Sequence, residues 1–290
     1  MNAKTVDQAP KNVTVYQGPT LVRFHQATRF LWGDDESQHV NDYIYGKNER
    51  IGCVVFTLRP GGFFKVSSAW KPFYKQHRFY YVVSGQLAIH DPETGHAVVA
   101  NPGEAVHWRG AKWHFGYNFG PEEVFVLDWY APQERPQSIT EMEFNKTKPV
   151  LGQISPGRGD LLRHWPEMLG ATRSRDYGDG SIVKLTPNDT LNFVQGEARP
   201  VLERLYVSTE ELTGGVCTLM PGHRGENRTH PGEKIIFALN GRLNVYLPDT
   251  YDWFELHEKD ALYLPSNTVH QCWNYGDKET SFAFKLVPTY

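Results

Sequence analysis

The chain has 290 residues, of which 40% are hydrophobic, 13% aromatic and 22% charged, a composition with enough apolar material for a sizeable core and too little polarity for a disordered chain. The length exceeds one ordinary domain of ~100–200 residues, which leaves two domains or one large all-β unit. With 30 basic against 33 acidic residues and a formal net charge of −3, nothing global points to nucleic acid or to an anionic membrane.

The opening stretch, MNAKTVDQAPKNVTVYQGPT, has no apolar run of signal-peptide length, and nowhere do about 18 apolar residues follow one another, so neither an export signal nor a membrane span is expected. Cys53, Cys217 and Cys272 are scattered without CxxC spacing. They read as buried thiols of a reducing compartment, and the expected location is cytoplasmic.

Along the chain, FLWGDD from Phe30 is followed by LRPGG at 58–62 and a long loop, FFKVSSAWKPFYKQ. FYYVVSGQLAIH then reads as two strands around a Ser-Gly turn, and EVFVLDWYAP as a further strand that ends at proline. APQERPQ and NKTKPVLGQISPGRG form a polar, Pro/Gly-rich linker, and DLLRHWPEML at 160–169 predicts a short helix. RDYGDG from Arg175, LMPGH at 219–223, KIIFALNGRLNVYL and TSFAFKLVP repeat the earlier sequence of features. Gly85 and Gly241, Leu87 and Leu243, His114 and His270, Asn118 and Asn274, and Gly120 and Gly276 are identical pairs at one offset of 156; LRPGG and LMPGH stand 161 apart, so the first copy carries five extra loop residues. The chain is therefore read as a duplication, with copies at 8–136 and 161–290 joined by a linker at 137–160. Many short strands between turn residues predict an all-β sandwich or barrel in each copy.

The second copy resembles the cupin superfamily. Gly222, His230 and Gly241 fit its first motif, G-x5-H-x-H-x3-E-x6-G, and Pro265, His270 and Asn274 fit its second; in the first copy Gly103, His114 and Asn118 fit the second motif. The resemblance implies two tandem jelly-roll β-barrels, and since such proteins commonly dimerise, a homodimer. The superfamily's metal-ligand positions fall on Arg228, His230, Lys234 and His270 in the second copy, two competent ligands of four. In the first they fall on Pro72, Tyr74, Arg78 and His114, and that barrel is expected to be metal-free.

Lys234 stands where the family keeps a carboxylate, and Arg78 stands at the same place in the first copy. Alternation along a strand puts Lys234, Ile236 and Ala238 on one face and Glu233, Ile235 and Phe237 on the other, so an inward Lys234 sends Glu233 outward. An ammonium at about 4 Å opposes a divalent ion by several kcal/mol even at an effective dielectric constant near 20. Cations at one position in both copies suggest an anionic small-molecule substrate. His230, Lys234 and His270 are the candidate catalytic residues, with Arg228, Arg78, His77, Tyr74 and His114 as candidate substrate contacts, for proton-transfer chemistry of the isomerase or lyase kind.

Three other readings stay open. The cations can serve stability alone by pairing with internal carboxylates. Lys234 can be a neutral base or Schiff-base nucleophile. A bulge can turn Glu233 inward, so that His230, His270 and Glu233, or Glu226 in its place, hold a divalent Fe, Mn, Ni or Zn ion for dioxygenase chemistry. A non-catalytic ligand-binding protein is the rival outside enzymes.

Overall fold

A computed structural model describes residues 12–67, 76–92, 97–109, 112–131 and 182–287, with Pro10, Gln133 and the backbone of Phe73–Tyr74. The expected linker, the expected helix at 160–169 and the boundaries at 136 and 161 lie outside these residues. Within them the chain is built from short strands, as the turn-punctuated apolar runs predict. Among the described residues no helix is long and apolar enough to cross a membrane.

Each copy forms a jelly-roll barrel of one large antiparallel sheet faced by a smaller one. The first barrel's large sheet runs Val183–Leu185, Ala105–Trp108, His77–Ser84, Val124–Ala131, Gly52–Leu58, Gln38–Lys47, Thr28–Asp34. Phe63–Phe64, Phe115–Tyr117, Leu87–His90 and Ala97–Ala100 close it from the other side. The second barrel's large sheet runs Thr20–Val22, Ala261–Leu264, Glu233–Asn240, Thr280–Val287, Thr213–Leu219, Val201–Ser208, Leu191–Gln195, faced by Asp252–Leu256, Leu243–Leu247 and Gln271–Trp273.

The first strand of each list comes from the other copy. Thr20–Val22 pairs with Ala261–Leu264, with Val22 opposite Ala261, and Val183–Leu185 pairs with Ala105–Trp108, with Leu185 opposite Ala105. A single 3-10 turn follows each exchanged strand, at Phe24–Gln26 and at Pro187–Asp189. The exchange covers one edge of each large sheet, which would otherwise present unpaired backbone groups.

Strand alternation sorts the core into three parts. Val40, Phe56, Tyr80, Val82, Trp108 and Val126 fill the first barrel, and Val201, Leu205, Ile236, Ala238, Leu262 and Phe284 are among those that fill the second. The opposite faces of the same strands, including Phe79, Trp129, Tyr206, Ile235, Phe237 and Tyr263, form one continuous core between the barrels.

The structure corrects one element of the repeat. The counterpart of FLWGDD from Phe30 is FVQGE from Phe193, since Thr28–Asp34 and Leu191–Gln195 both occupy the far edge of a large sheet. Gly33 and Gly196 end the equivalent runs with φ of 105° and 92°, and at either place a Cβ would run into a backbone carbonyl. The similarity of RDYGDG at 175–180 is one of composition, and that segment lies outside the described residues.

Candidate functional site

Lys234 is the second residue of Glu233–Asn240 and opposes Leu264 and Leu286. Its neighbours on that face, Ile236 and Ala238, belong to the core of the second barrel, whereas Ile235 and Phe237 belong to the core between barrels. Lys234 therefore points inward, as the alternation requires. The strand's register shift lies between Ala238 and Asn240, far from position 233, so no bulge reverses the faces there.

The ammonium is 7% exposed and its Nζ lies 3.0 Å from Nε2 of His270, itself 3% exposed. Nδ1 of His270 is 3.0 Å from the carbonyl of Thr268. A carbonyl only accepts, so Nδ1 carries the proton and Nε2 offers a lone pair to the Lys234 ammonium. Burial, then the adjacent Lys234, hold the His270 imidazole well below its ordinary pKa, and it is neutral. Burial, then Arg228, lower that of Lys234. With Lys234 as the ammonium the pair carries one positive charge, and Nζ lies 5.5 Å from the ring of Phe284.

Arg228 reaches the same space from the strand-like segment that bridges to His270, and its Nη1 donates to Oε1 of Glu203. Glu203 is 4% exposed and occupies an inward position of Val201–Ser208, between Val201 and Leu205 of the same core. Arg228, Lys234, His270, Cys217, Cys272 and Phe282 line a cavity of about 140 Å³, with Gln195, Gly196 and Asn227 towards its mouth. Burial raises the pKa of Cys217 and of Cys272, so both thiols stay protonated.

Other expected residues lie elsewhere. His230 is half-buried in the loop before the strand, where its Nδ1 accepts from the Gly232 N–H at 2.9 Å, and it is not part of the cavity wall. Glu233 faces the first barrel, where its Oε2 accepts from Nδ2 of Asn48 at 3.2 Å. Glu226 stands at the rim with Oε1 accepting from the amides of Ala198 and Arg199, at 2.7 and 3.1 Å, which staples that loop to the barrel.

These positions bear on the expected metal set. The set His230, His270 and Glu233 is not assembled, because Glu233 points out of the barrel and an ammonium stands 3.0 Å from the one ring nitrogen of His270 that could ligate. Among the described residues no three His, Cys, Asp or Glu side chains gather to hold an ion. The donor set does not fit a divalent Fe, Mn, Ni or Zn centre.

The first barrel repeats the motif with the charge cancelled. Arg78, the counterpart of Lys234, places Nη1 at 2.9 and 2.7 Å from the two carboxylate oxygens of Asp128, and its guanidinium lies 4.5 Å from the Tyr130 ring. His114 is 1% exposed, with Nε2 3.3 Å from the Tyr80 hydroxyl and its ring 4.5 Å from that of Trp108. Burial, then Arg78, lower its pKa to about 3. His114 is a neutral packing group among aromatic rings that fill this interior. His77 faces the core between barrels, with Nδ1 3.3 Å from Oγ1 of Thr209. Tyr74 lies in Phe73–Tyr74, opposite Lys112.

Two barrels of this topology, duplicated and sharing edge strands, define a bicupin architecture. Residues 215–286, most of the second barrel, match the Cupin_2 family, described as a cupin domain, so the second barrel is a cupin domain. Over 94 residues it is 30% identical to "Polyketide synthase CurC" of Streptomyces cyaneus, covering 32% of this chain and 60% of that one, less than two thirds of its length. A putative glyoxylate induced protein from Pseudomonas aeruginosa superposes with a TM-score of 0.64 at 12% identity, covering 98% of this chain and 94% of that one. A variant of Bacillus subtilis oxalate decarboxylase gives 0.61 at 13% identity, covering 97% and 80%. At such identities these structures share the fold with this chain.

Proposed function

We propose that the second barrel binds a small organic anion beside Lys234 and transfers a proton on it, in the manner of an isomerase or lyase. The observation that carries this reading is the Lys234–His270 pair, in which a buried ammonium with no carboxylate partner among the described residues lies 3.0 Å from a neutral imidazole on the wall of a cavity. A buried cation that nothing neutralises is costly, and an anion that enters relieves the cost.

The chemistry follows from the His270 tautomer and the ammonium beside it. An oxygen of the anion takes one of the three N–H groups of Lys234. As the N–H that Lys234 gave to Nε2 of His270 turns to that oxygen, the Nε2 lone pair is freed and takes a C–H proton α to that carbonyl, and the electron pair stays on the substrate as an enolate beside the ammonium. Return of the proton to a neighbouring carbon completes an isomerisation; departure of a β-substituent with the electron pair completes an elimination.

Incubation with small 2-oxo and 3-hydroxy acids in D2O tests this, with NMR following loss of the α-proton signal. Exchange by the native protein that disappears in Lys234→Met supports it. Acids that bind without exchange leave the non-catalytic ligand-binding protein as the reading, and acids that neither bind nor exchange remove both.

A further inference from the structure

The charges around the cavity limit what the anion can be. Arg228 is committed to Glu203, whose carboxylate is buried against it. Glu226 is directed at the backbone amides of the rim loop. Lys234 has no ion pair among the described residues, and the charge of Glu203 reaches it only beyond salt-bridge distance. One positive charge is therefore left over in the cavity. The rest of the wall includes Val201, Leu219 and Phe282.

Resting on the anion reading above, we infer that the ligand is a monocarboxylate with a small apolar body, and that Glu203 sets this specificity by cancelling the charge of Arg228. Lys234 receives the carboxylate and the apolar wall receives the body. A second carboxylate would find Arg228 occupied and, with only neutral donors such as Gln195 and Asn227 left on the wall, would lose more hydration than it recovers. The volume of about 140 Å³ is close to that of an engineered cavity of ~150 Å³ that accepts benzene, so the body is of similar size or smaller. The same bookkeeping makes Glu203 a specificity-determining residue: it touches no ligand, and it acts by holding Arg228.

Isobutyrate and malonate are similar in size and differ in charge at neutral pH, and calorimetric titration of each into the full chain separates the possibilities. Isobutyrate is expected to bind at least about tenfold more tightly than malonate, a difference of ~1.4 kcal/mol, and to lose that affinity in Lys234→Met. In Glu203→Gln, with folding checked by its melting transition, Arg228 is released and malonate is expected to gain about tenfold or more while isobutyrate changes little. Malonate binding as tightly as isobutyrate in the native protein overturns the charge count while leaving the anion site intact. A folded Glu203→Gln protein that keeps the native preference overturns the role of Glu203. Failure of both acids to bind the native protein removes the anion reading, and this inference with it.

Discussion

Arg78 and Lys234 stand at the same strand position in the two barrels, 156 residues apart, and only Arg78 faces a carboxylate. The residue that decides the difference lies on the neighbouring strand, two places from the one directly opposite (Tyr130 and Leu286): Asp128 in the first barrel and Phe284, again 156 residues on, in the second. One duplicated cation has become an internal salt bridge in the first barrel. The other has been left uncompensated on the wall of a cavity.

The first consequence concerns Lys234. A buried charge kept for stability destabilises the fold when removed, whereas one kept for a ligand does the reverse. Lys234→Met retains the length and apolar stem of the side chain beside Phe284 and removes the charge. The variant is expected to be more stable than the native protein by about 1 kcal/mol and to have lost anion binding. Denaturant unfolding monitored by tryptophan fluorescence, paired with calorimetry, checks both halves of the statement; a less stable variant makes Lys234 a structural residue.

Asp128→Asn is expected to behave in the opposite way. It removes the charge that holds the guanidinium of Arg78, which lies among the buried aromatic rings of the first barrel, at a cost of about 3 kcal/mol. Anion binding in the second barrel is expected to be unchanged. The same two measurements, applied to this variant, show whether the two cations have diverged in role; weakened anion binding in a folded Asp128→Asn protein would join the two barrels into one site.

The sequence sorted Lys234, Ile236 and Ala238 onto one face because one residue either way along a strand reverses the face, but both faces are apolar, and only the resemblance to the family's motif implied which was inside. The outward direction of Glu233 followed from the same rule. The local geometry of His230 was not legible, because the motif gives its spacing but not the turn at Gly232, whose amide donates to Nδ1 of the ring. Glu203 was missed although its signal is local: a carboxylate between Val201 and Leu205, in an alternating strand, has to be inside and has to be paired. The exchange of Thr20–Val22 and Val183–Leu185 could not be read, because three-residue strands carry too little periodicity to name their partners, and the long-range pairings are set by tertiary packing.

That exchange makes the second barrel depend on a segment more than two hundred residues away. Asp260 is 4% exposed and accepts from Nη1 of Arg23 at 2.7 Å, from the amide of Phe24 at 3.0 Å and from the amide of His257 at 3.0 Å. It ties the chain just after Thr20–Val22 to the turn before Ala261–Leu264. Asp260→Ala leaves two backbone donors and a guanidinium without their acceptor and is expected to cost about 2–3 kcal/mol. Hydrogen exchange is the decisive readout: protection is expected to fall in Ala261–Leu264 and in Thr20–Val22 together, and a loss confined to one of them would show that the contact does not couple the two copies.

Buried neutral imidazoles give the fold a defined acid limit. His114 has a pKa lowered to about 3, and burial also holds His107 and His270 well below their ordinary value. The unfolded chain takes up protons on these rings as the pH falls below about 6.5, while the folded protein does not. The unfolded state therefore binds more protons throughout the window from about 6.5 down to about 3, and stability has to fall as the solution is acidified, by up to ~1.4 kcal/mol per pH unit for each ring. His114→Phe removes one such ring from an aromatic cluster that includes Phe64, Tyr80 and Trp108. Its unfolding free energy, measured in denaturant from pH 7 to pH 4, is expected to decline less steeply than that of the native protein, whatever the offset at neutral pH. Parallel curves would mean that the His114 ring is already protonated inside the folded barrel, in spite of Arg78 beside it.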